Sequence, residues 1–209
     1  MTENRKYDLI IVGGGISGSA MLYTLSKYTD LKKICIIEKY KGFGTVNSSH
    51  LMNSQTLHFG DIETNYTLAK ATTVKRSADM VKNYLESQKT VCPEVKLFSK
   101  YNKMVMAVGS KQVKDLDARY DSFSKLFPKL RKIGREEIGK MEPRVVEGRD
   151  PNEEILALVT EDGYTVDFGA LSKNFIFNAK KSNSELETFL ETKLNKIEDM
   201  KTGFRLETD

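Results

Sequence analysis

Cysteine and proline are scarce in this sequence, and long apolar runs are absent. Only two cysteines and four prolines occur among the 209 residues. Cys35 lies inside an apolar run and Cys92 directly precedes Pro93, so the sequence predicts neither a disulfide framework nor a zinc or other metal site. No stretch approaches the roughly 18 apolar residues that identify a membrane-spanning helix. We therefore predict a cytoplasmic protein for which any contact with a membrane is peripheral.

The sequence also lacks a concentration of charge of one sign. The 33 basic residues are scattered among 29 acidic ones, and the formal net charge is +4. A nucleic-acid groove needs basic residues gathered on one face with aromatic stacking partners, and no segment has that character. We therefore predict no nucleic-acid partner. An apolar content of 39% indicates a folded globular chain.

The first forty residues have the pattern of a βαβ unit. Residues 7–12 form a compact apolar run that ends in three glycines, which is typical of a buried parallel strand entering a tight turn. A helix is predicted over residues 16–28 and a second apolar strand over residues 33–38. The predicted fold class is therefore α/β, with a Rossmann-like first domain.

The glycines after the first strand form the spacing G-x-G-x-x-G. Gly13 makes the turn, Gly15 lets backbone amides approach a diphosphate, and Gly18 allows the helix to pack closely on the strand. The amino end of the helix then presents free N–H groups and a positive dipole end to the diphosphate. Glu38 ends the second strand, where an acid accepts hydrogen bonds from the ribose hydroxyls of the adenosine.

This pattern predicts dinucleotide binding, with Ser17 of the turn and Lys39 beside Glu38 as further cofactor contacts. The alternative is a glycine-rich turn that binds nothing, and the register of strand, helix, second strand and acid argues against it. NAD and FAD use the same pattern, so the glycines do not distinguish between the two cofactors.

The rest of the chain is predicted as a long polar loop followed by alternating helices and strands. The loop covers residues 40–66, and a loop of that length in a compact domain is usually functional. Helices are predicted at residues 68–87, 111–127, 135–141 and 167–181. Strands are predicted at residues 95–98, 104–108 and 155–160. Three further strands, at 186–190, 193–197 and 204–208, are predicted to form a closing sheet.

Several segments together resemble the D-amino-acid-oxidase-like flavoenzymes. They are DLIIVGGGISGSAMLYTLSK at residues 8–27, Glu38, the triplet MEP at 141–143, and GYTVDFGALSKNF at 163–175. The resemblance implies FAD as cofactor and a Rossmann-like FAD-binding domain interleaved with an α+β substrate domain. It also implies that a turn at residues 163–167 starts a helix returning to the FAD domain, and that Leu194 lies against the adenine.

The loop NSQTLHFGDIETNY at residues 53–66 is similar to that of the malate:quinone oxidoreductases of epsilon-proteobacterial type. Its polar residues, Asn53, Ser54, Gln55 and Thr56, are expected to serve the flavin ring and ribityl chain, and His58 is the candidate catalytic residue. L-2-hydroxyglutarate dehydrogenases carry a looser version of this loop and remain an alternative. A second alternative is an ordinary surface loop in which the histidine is structural, because Asn, Ser and Thr are common turn formers.

The resemblance also predicts the organisation and reaction of a longer parent. Residues 1–90 are expected to begin the FAD domain, 91–160 to begin the substrate domain and 161–209 to return to the FAD domain, truncated. The parent is expected to oxidise (S)-malate to oxaloacetate and to pass electrons through FAD to a quinone at the cytoplasmic face of the inner membrane. Other FAD-dependent 2-hydroxy-acid or amine oxidoreductases, and a truncated non-catalytic nucleotide-binding module, remain alternatives. The sequence singles out no arginine for a substrate carboxylate, since Arg76, Arg119 and Arg144 are no better candidates than the others.

Overall fold

The computed structural model of the protein describes residues 4–91 and 96–209, so Cys92 and the start of the strand predicted at 95–98 lie outside the described residues. The chain forms two compact units. Residues up to 55 together with residues 167–209 form the first unit, and residues 56–166 form the second. The functional domain boundaries at 90/91 and 160/161 stay a prediction.

The first unit is built on a parallel three-stranded sheet. Its strands are β1 (Leu9–Val12), β2 (Ile34–Ile37) and β6 (Glu187–Phe189), in the order β1-β2-β6. Leu9 pairs with Ile34, and Cys35 pairs with Glu187. All four residues of β2 are buried, because the central strand of the sheet is covered on both faces. Burial also raises the pKa of the Cys35 thiol to about 12.

Two helices cover one face of this sheet. They are α1 (Ile16–Tyr28) and α6 (Phe168–Ser182), which pack along each other, with the rings of Tyr23 and Phe175 5.4 Å apart. Their buried side chains join those of the strands in one core, whose members are Ile11, Leu22, Ile34, Ile36, Ile176 and Ala179. The predicted βαβ unit and the predicted Rossmann-like α/β class are confirmed.

Asp167 starts α6 as a side-chain cap. Its Oδ1 accepts a hydrogen bond of 2.8 Å from the amide of Ala170, which satisfies one of the free N–H groups at the helix start. The predicted turn at residues 163–167 is wrong in its extent, because the strand before the helix continues to Val166. The chain therefore passes from strand to helix at Asp167 alone.

The last two strands do not close the sheet as predicted. β7 (Leu194–Met200) and β8 (Gly203–Thr208) form a separate antiparallel hairpin, in which Ile197 pairs with Leu206 and Asp199 with Phe204. Only β6 among the three predicted strands reaches the parallel sheet. β6 pairs in parallel with β2, whereas the two mostly exposed hairpin strands pair with each other.

The second unit contains an antiparallel sheet and four helices. The sheet has the order β3-β5-β4, with β3 (Phe98–Val108), β4 (Arg131–Gly134) and β5 (Ile155–Val166). The helices are α2 (Leu68–Val91), α3 (Ser110–Phe123), α4 (Arg135–Met141) and α5 (Pro143–Val146). β4 and α5 were not predicted, because each is only four residues long, too short for a periodic pattern.

The strands predicted at 95–98 and 104–108 are one strand over the described residues. The polar residues between them continue β3, with an irregularity in the pairing to β5 between Tyr101 and Lys103. Gly163 faces this irregularity, and a side chain there would approach the carbonyl oxygen of Tyr101 to 2.3 Å. The glycine therefore permits the bulge that turns Lys103 into the interior.

The described residues contain no helix with the length and apolarity needed to cross a bilayer. They also contain no group of three His, Cys, Asp or Glu side chains arranged to hold a metal ion.

Candidate functional site

The glycine turn lies directly after β1, as the sequence predicts. Gly13 has a φ of 99°, in the left-handed region that favours glycine, and a side chain at its Cα would meet nothing within 4 Å. A Cβ on Gly18 would lie 2.0 Å from the carbonyl oxygen of Gly13. Gly13 therefore turns the chain beside open space, and Gly18 allows α1 to approach the end of β1 closely.

The first turn of α1 leaves backbone amides available. Gly15 is the N-cap and has no side chain to satisfy them; instead, the buried Ser48 accepts a hydrogen bond of 2.9 Å from the amide of Ile16. In the part of the chain that the structure describes, no hydrogen bond reaches the amides of Gly15 and Ser17. Two free amides at a helix start form a site suited to an anion.

Ser48 was missed by the sequence analysis. Its signal was weak, because it is one of several small polar residues in the loop predicted at 40–66. The glycine N-cap was the clue, since an N-cap without a side chain needs a partner from elsewhere in the chain. The loop carrying Ser48 approaches α6 closely at Gly44, where an added Cβ would lie 2.9 Å from the Cα of Gly169.

Glu38 reaches back from the end of β2 to the glycine turn. Its Oε2 accepts a hydrogen bond of 2.7 Å from the amide of Gly14, and its Oε1 accepts one of 3.0 Å from the amide of Tyr40. The side chain is buried, and a carboxylate oxygen that accepts one hydrogen bond can accept another. Glu38 is thus held rigidly with acceptor capacity left for hydroxyl groups. Lys39 is exposed, and its ammonium group lies 4.8 Å from the ring centre of Tyr40.

Exposed apolar side chains lie at or just beyond the carboxyl ends of the three parallel strands. Val12 ends β1, Tyr40 follows β2, and Leu190 follows β6. Backbone bonds from Glu191 to Tyr40 and from Thr192 to Glu38 hold the chain after β6 against the end of β2. The half-buried Leu194 comes next, at the start of β7. The contact of Leu194 with an adenine ring stays a prediction.

Asn53 and Gln55 organise their loop from within. The Asn53 amide nitrogen donates to the carbonyl oxygens of Asn47 and Ser49, and its Oδ1 accepts from both the backbone and the side chain of Gln55. Gln55 also has a φ of 58°. The hydrogen-bonding capacity of Asn53 is therefore used within the loop. Ser54 is exposed, and the flavin contacts of these three residues stay a prediction.

The continuation of the loop belongs to the second unit and joins the end of β5. Thr56 pairs with Thr165 in an isolated bridge, and the amide of Leu57 donates to the carbonyl oxygen of Tyr164. His58 follows with an exposed ring, and its Nδ1 lies 2.7 Å from Oε1 of Glu63. The structure therefore gives His58 an acidic partner that the sequence analysis did not identify.

Arg119, in α3, binds the backbone of the loop that carries His58. Its guanidinium donates to the carbonyl oxygens of Gly60, Glu63 and Tyr66, at distances of 3.4, 2.7 and 2.9 Å. Burial lowers the pKa of Arg119, and the nearby charge of Glu63 opposes that shift. Among the three arginines considered as carboxylate ligands, this one is engaged with backbone. Arg76 and Arg144 are exposed.

A buried ion pair fixes the same loop to the sheet. Lys103 Nζ lies 2.7 Å from Asp61 Oδ1, and the two side chains are only 3% and 2% exposed. Asp61 Oδ1 also accepts from the amide of Ile62. Lys103 lies 5.1 Å from the ring centre of Phe59, which packs against Tyr164. The loop between residues 57 and 66 is therefore held by one cation from β3 and one from α3.

Sequence comparisons identify relatives of this chain along almost its whole length. The model of the malate:quinone oxidoreductase family matches residues 5–207. A probable malate:quinone oxidoreductase of Campylobacter jejuni is 39% identical over 99% of the chain, and a malate:quinone oxidoreductase of Helicobacter pylori is 36% identical over 92%. These matches cover 47% and 43% of the two relatives, so the chain spans about half the length of the curated relatives it matches.

Solved structures show the same fold at lower identity. Glycine oxidase from Geobacillus kaustophilus aligns with a TM-score of 0.77 at 19% identity, over 98% of this chain and 52% of that one. L-alpha-glycerophosphate oxidase from Mycoplasma pneumoniae, solved with FAD bound, aligns with a TM-score of 0.69 at 21% identity, over 99% and 50%. The predicted interleaving of a Rossmann-like domain with an α+β domain is therefore confirmed at the level of the fold.

Proposed function

Because the chain belongs to the malate:quinone oxidoreductase family, we propose that it holds the adenosine and diphosphate part of FAD in an enzyme that oxidises (S)-malate to oxaloacetate. The observation that carries the proposal is the arrangement of the glycine turn and Glu38. The turn presents free amides beside open space, and the carboxylate lies one hydrogen bond from Gly14. This is the chemistry that a ribose and a diphosphate require.

The residues present fit FAD in the hydrogen-bonding groups that they offer and in the open space beside Gly13. The amides of Gly15 and Ser17 would hold the diphosphate, and Glu38 would accept from the ribose hydroxyls. The apolar side chains of Val12 and Leu190 would offer a surface for the adenine, as would Leu194 at the start of β7. When bound, FAD supplies the acceptor for the hydride of the carbinol carbon.

The loop at residues 53–66 is the part of the chain proposed to serve the reacting end. Asn53 holds the loop in shape, Ser54, Gln55 and Thr56 are proposed flavin contacts, and His58 is the proposed base for the malate hydroxyl. We further propose a quinone as electron acceptor and peripheral association with the cytoplasmic face of the inner membrane. Both proposals assume that the whole protein has the activity for which the family is named.

Replacing Glu38 by alanine is expected to weaken FAD retention at least tenfold. Each charge-assisted hydrogen bond from the ribose contributes about 1.5–3 kcal/mol, and about 1.4 kcal/mol corresponds to a tenfold change in the dissociation constant. The measurement is flavin absorbance of the purified protein, followed by titration of the stripped protein with FAD. Glu185→Ala, which alters an exposed acid of the same unit, is the control and should retain FAD normally. Unchanged affinity in Glu38→Ala would remove Glu38 from the site.

The parent enzyme is expected to reduce a quinone analogue in the presence of malate and without NAD. The assay compares turnover on malate with turnover on L-2-hydroxyglutarate, lactate and D-amino acids, using the full-length protein. Malate should be the fastest substrate, and His58→Ala should lower that turnover more than it lowers FAD content. Faster turnover on another of these substrates would contradict the proposed reaction and leave the proposed FAD site standing.

A further inference from the structure

His58 and Glu63 form a pair in which the histidine is exposed and the acid is almost buried. Nδ1 of His58 lies 2.7 Å from Oε1 of Glu63, and the side chains are 53% and 12% exposed. A surface ion pair between flexible side chains contributes little stability. Here Glu63 is largely shielded from solvent, so its side chain has less freedom to move than an exposed glutamate.

The position of the Glu63 carboxylate is costly. Its second oxygen, Oε2, is buried and has no hydrogen-bond partner among the described residues. A buried acceptor without a partner destabilises the fold, because the desolvation of that oxygen is not compensated. A conformation with such a cost persists only where the surrounding structure imposes it, and such conformations cluster at functional sites.

The surrounding structure does impose it. Arg119 donates to the carbonyl oxygen of Glu63 itself and to those of Gly60 and Tyr66 on either side. The amide of Tyr66 also donates to the carbonyl oxygen of Glu63. The backbone that carries the Glu63 side chain is therefore fixed on both sides.

The charges around the pair come from three elements. Asp61 and Glu63 belong to the loop, Lys103 comes from β3, and Arg119 comes from α3. Lys103 is paired with Asp61, so Arg119 is the cation that balances Glu63. The imidazole thus faces one carboxylate whose charge is already partly compensated, and its other nitrogen, Nε2, is left for contacts outside the loop.

We propose that Glu63 is the positioning residue of a carboxylate–imidazole dyad: it holds the proton of His58 on Nδ1 and so presents Nε2 as the base for the substrate hydroxyl. This inference rests on the proposed oxidation of a 2-hydroxy acid. In that oxidation the O–H and C–H bonds would break and the C–O bond would become a carbonyl. Nε2 of His58 would take the hydroxyl proton, and FAD, when bound, would supply the acceptor for the carbinol hydride with its electron pair. A carboxylate on the far nitrogen fixes the tautomer and stabilises the imidazolium that forms.

Histidine NMR tests the proton position directly and needs no activity. The chain has only two histidines, so a 15N-histidine sample with His50→Gln as the assignment control isolates the His58 ring. Neutral His58 should show the proton on Nδ1. Glu63→Gln, whose amide can donate to Nδ1, and Glu63→Ala, which offers Nδ1 no acceptor, should both move it to Nε2. A proton on Nε2 in the unaltered chain would overturn the proposal.

Steady-state kinetics in the full-length parent tests the role of the dyad. Glu63→Gln should lower kcat on malate at least about tenfold, with KM and FAD content unchanged, because an amide neither fixes the tautomer nor stabilises the imidazolium as a carboxylate does. His58→Gln should lower it about 100-fold or more. The double variant should be no slower than His58→Gln alone, because two residues that act as one unit have non-additive effects.

Two outcomes separate the dyad from the proposed reaction. In a parent that oxidises malate, additive effects of the two substitutions, or a kcat of Glu63→Gln within twofold of the unaltered enzyme, would overturn the dyad alone. A parent that does not oxidise malate would contradict the proposed reaction and, with it, the role of Nε2 as base. Glu136→Gln, at a side chain 85% exposed, is the matched control and should leave kcat unchanged.

Discussion

Gly18→Ala is expected to destabilise the first unit and to abolish retention of FAD. The added methyl group would lie 2.0 Å from the carbonyl oxygen of Gly13, which is backbone and has no rotamer to change. Alanine favours a helix over glycine by about 1 kcal/mol, so the substitution would be stabilising if the contact were harmless. Overpacking of this kind typically costs about 1–3 kcal/mol and more where backbone must move. The clash should therefore exceed the gain in propensity.

Urea unfolding and flavin absorbance measure the two effects. Gly139→Ala is the matched control, since Gly139 also lies inside a helix but its added methyl group would meet only the end of the Val146 side chain, at 3.1 Å. That variant should change the free energy of unfolding by less than about 1 kcal/mol. If Gly18→Ala were as stable as the unaltered protein and still yellow, the close approach of α1 to the turn would be refuted.

Lys103→Met is expected to lower the free energy of unfolding of the second unit by about 3–5 kcal/mol. The substitution keeps the length of the side chain but leaves the carboxylate of Asp61 buried without its cation. Removing one partner of a buried pair is far more costly than removing both, because a lone buried charge has no compensation. The double variant Lys103→Met with Asp61→Asn should therefore recover part of the loss.

The measurement is chemical denaturation of the single and double variants, combined as a double-mutant cycle. Lys140→Met provides the control, because Lys140 pairs with Glu136 on the surface, where the side chains are 70% and 85% exposed. Its effect should stay within about 0.5 kcal/mol. A double variant as unstable as the sum of its single variants would show that Lys103 and Asp61 do not depend on each other.

Lys103 also shows where sequence reasoning reaches its limit. The polar residues between 98 and 104 were predicted as a gap between two strands, yet they continue β3. The partner of Lys103 is Asp61, far away in the sequence, and no local pattern reveals such a contact. Charged residues are almost never fully buried unless they are paired, so the pairing had to be known before the burial could be predicted.

The glycine turn, in contrast, was predictable from local sequence. Gly13, Gly18 and Glu38 were assigned their places from spacing alone, because each fulfils a steric or hydrogen-bonding requirement that acts within one βαβ unit. Ser48 and Glu63 meet requirements of the same kind but arrive from the long loop, where spacing carries no information. The steric roles of Gly13 and Gly18 within one supersecondary unit were thus predictable, whereas the bonds of Glu38 to the amides of Gly14 and Tyr40 and the contacts from the loop were not.

The strand order β1-β2-β6 has a consequence for how the protein folds. β2 ends at Ile37 and β6 begins at Glu187, so the parallel sheet needs two segments that the whole second unit separates in sequence. Pairing over such a separation has a high contact order and is slow, because the intervening chain must be closed into a loop first. During synthesis, residues 56–166 leave the ribosome before β6 exists. The second unit can therefore fold first. Until β6 is synthesised, the edge of β2 that it pairs with remains unpaired and can associate with strands of other chains.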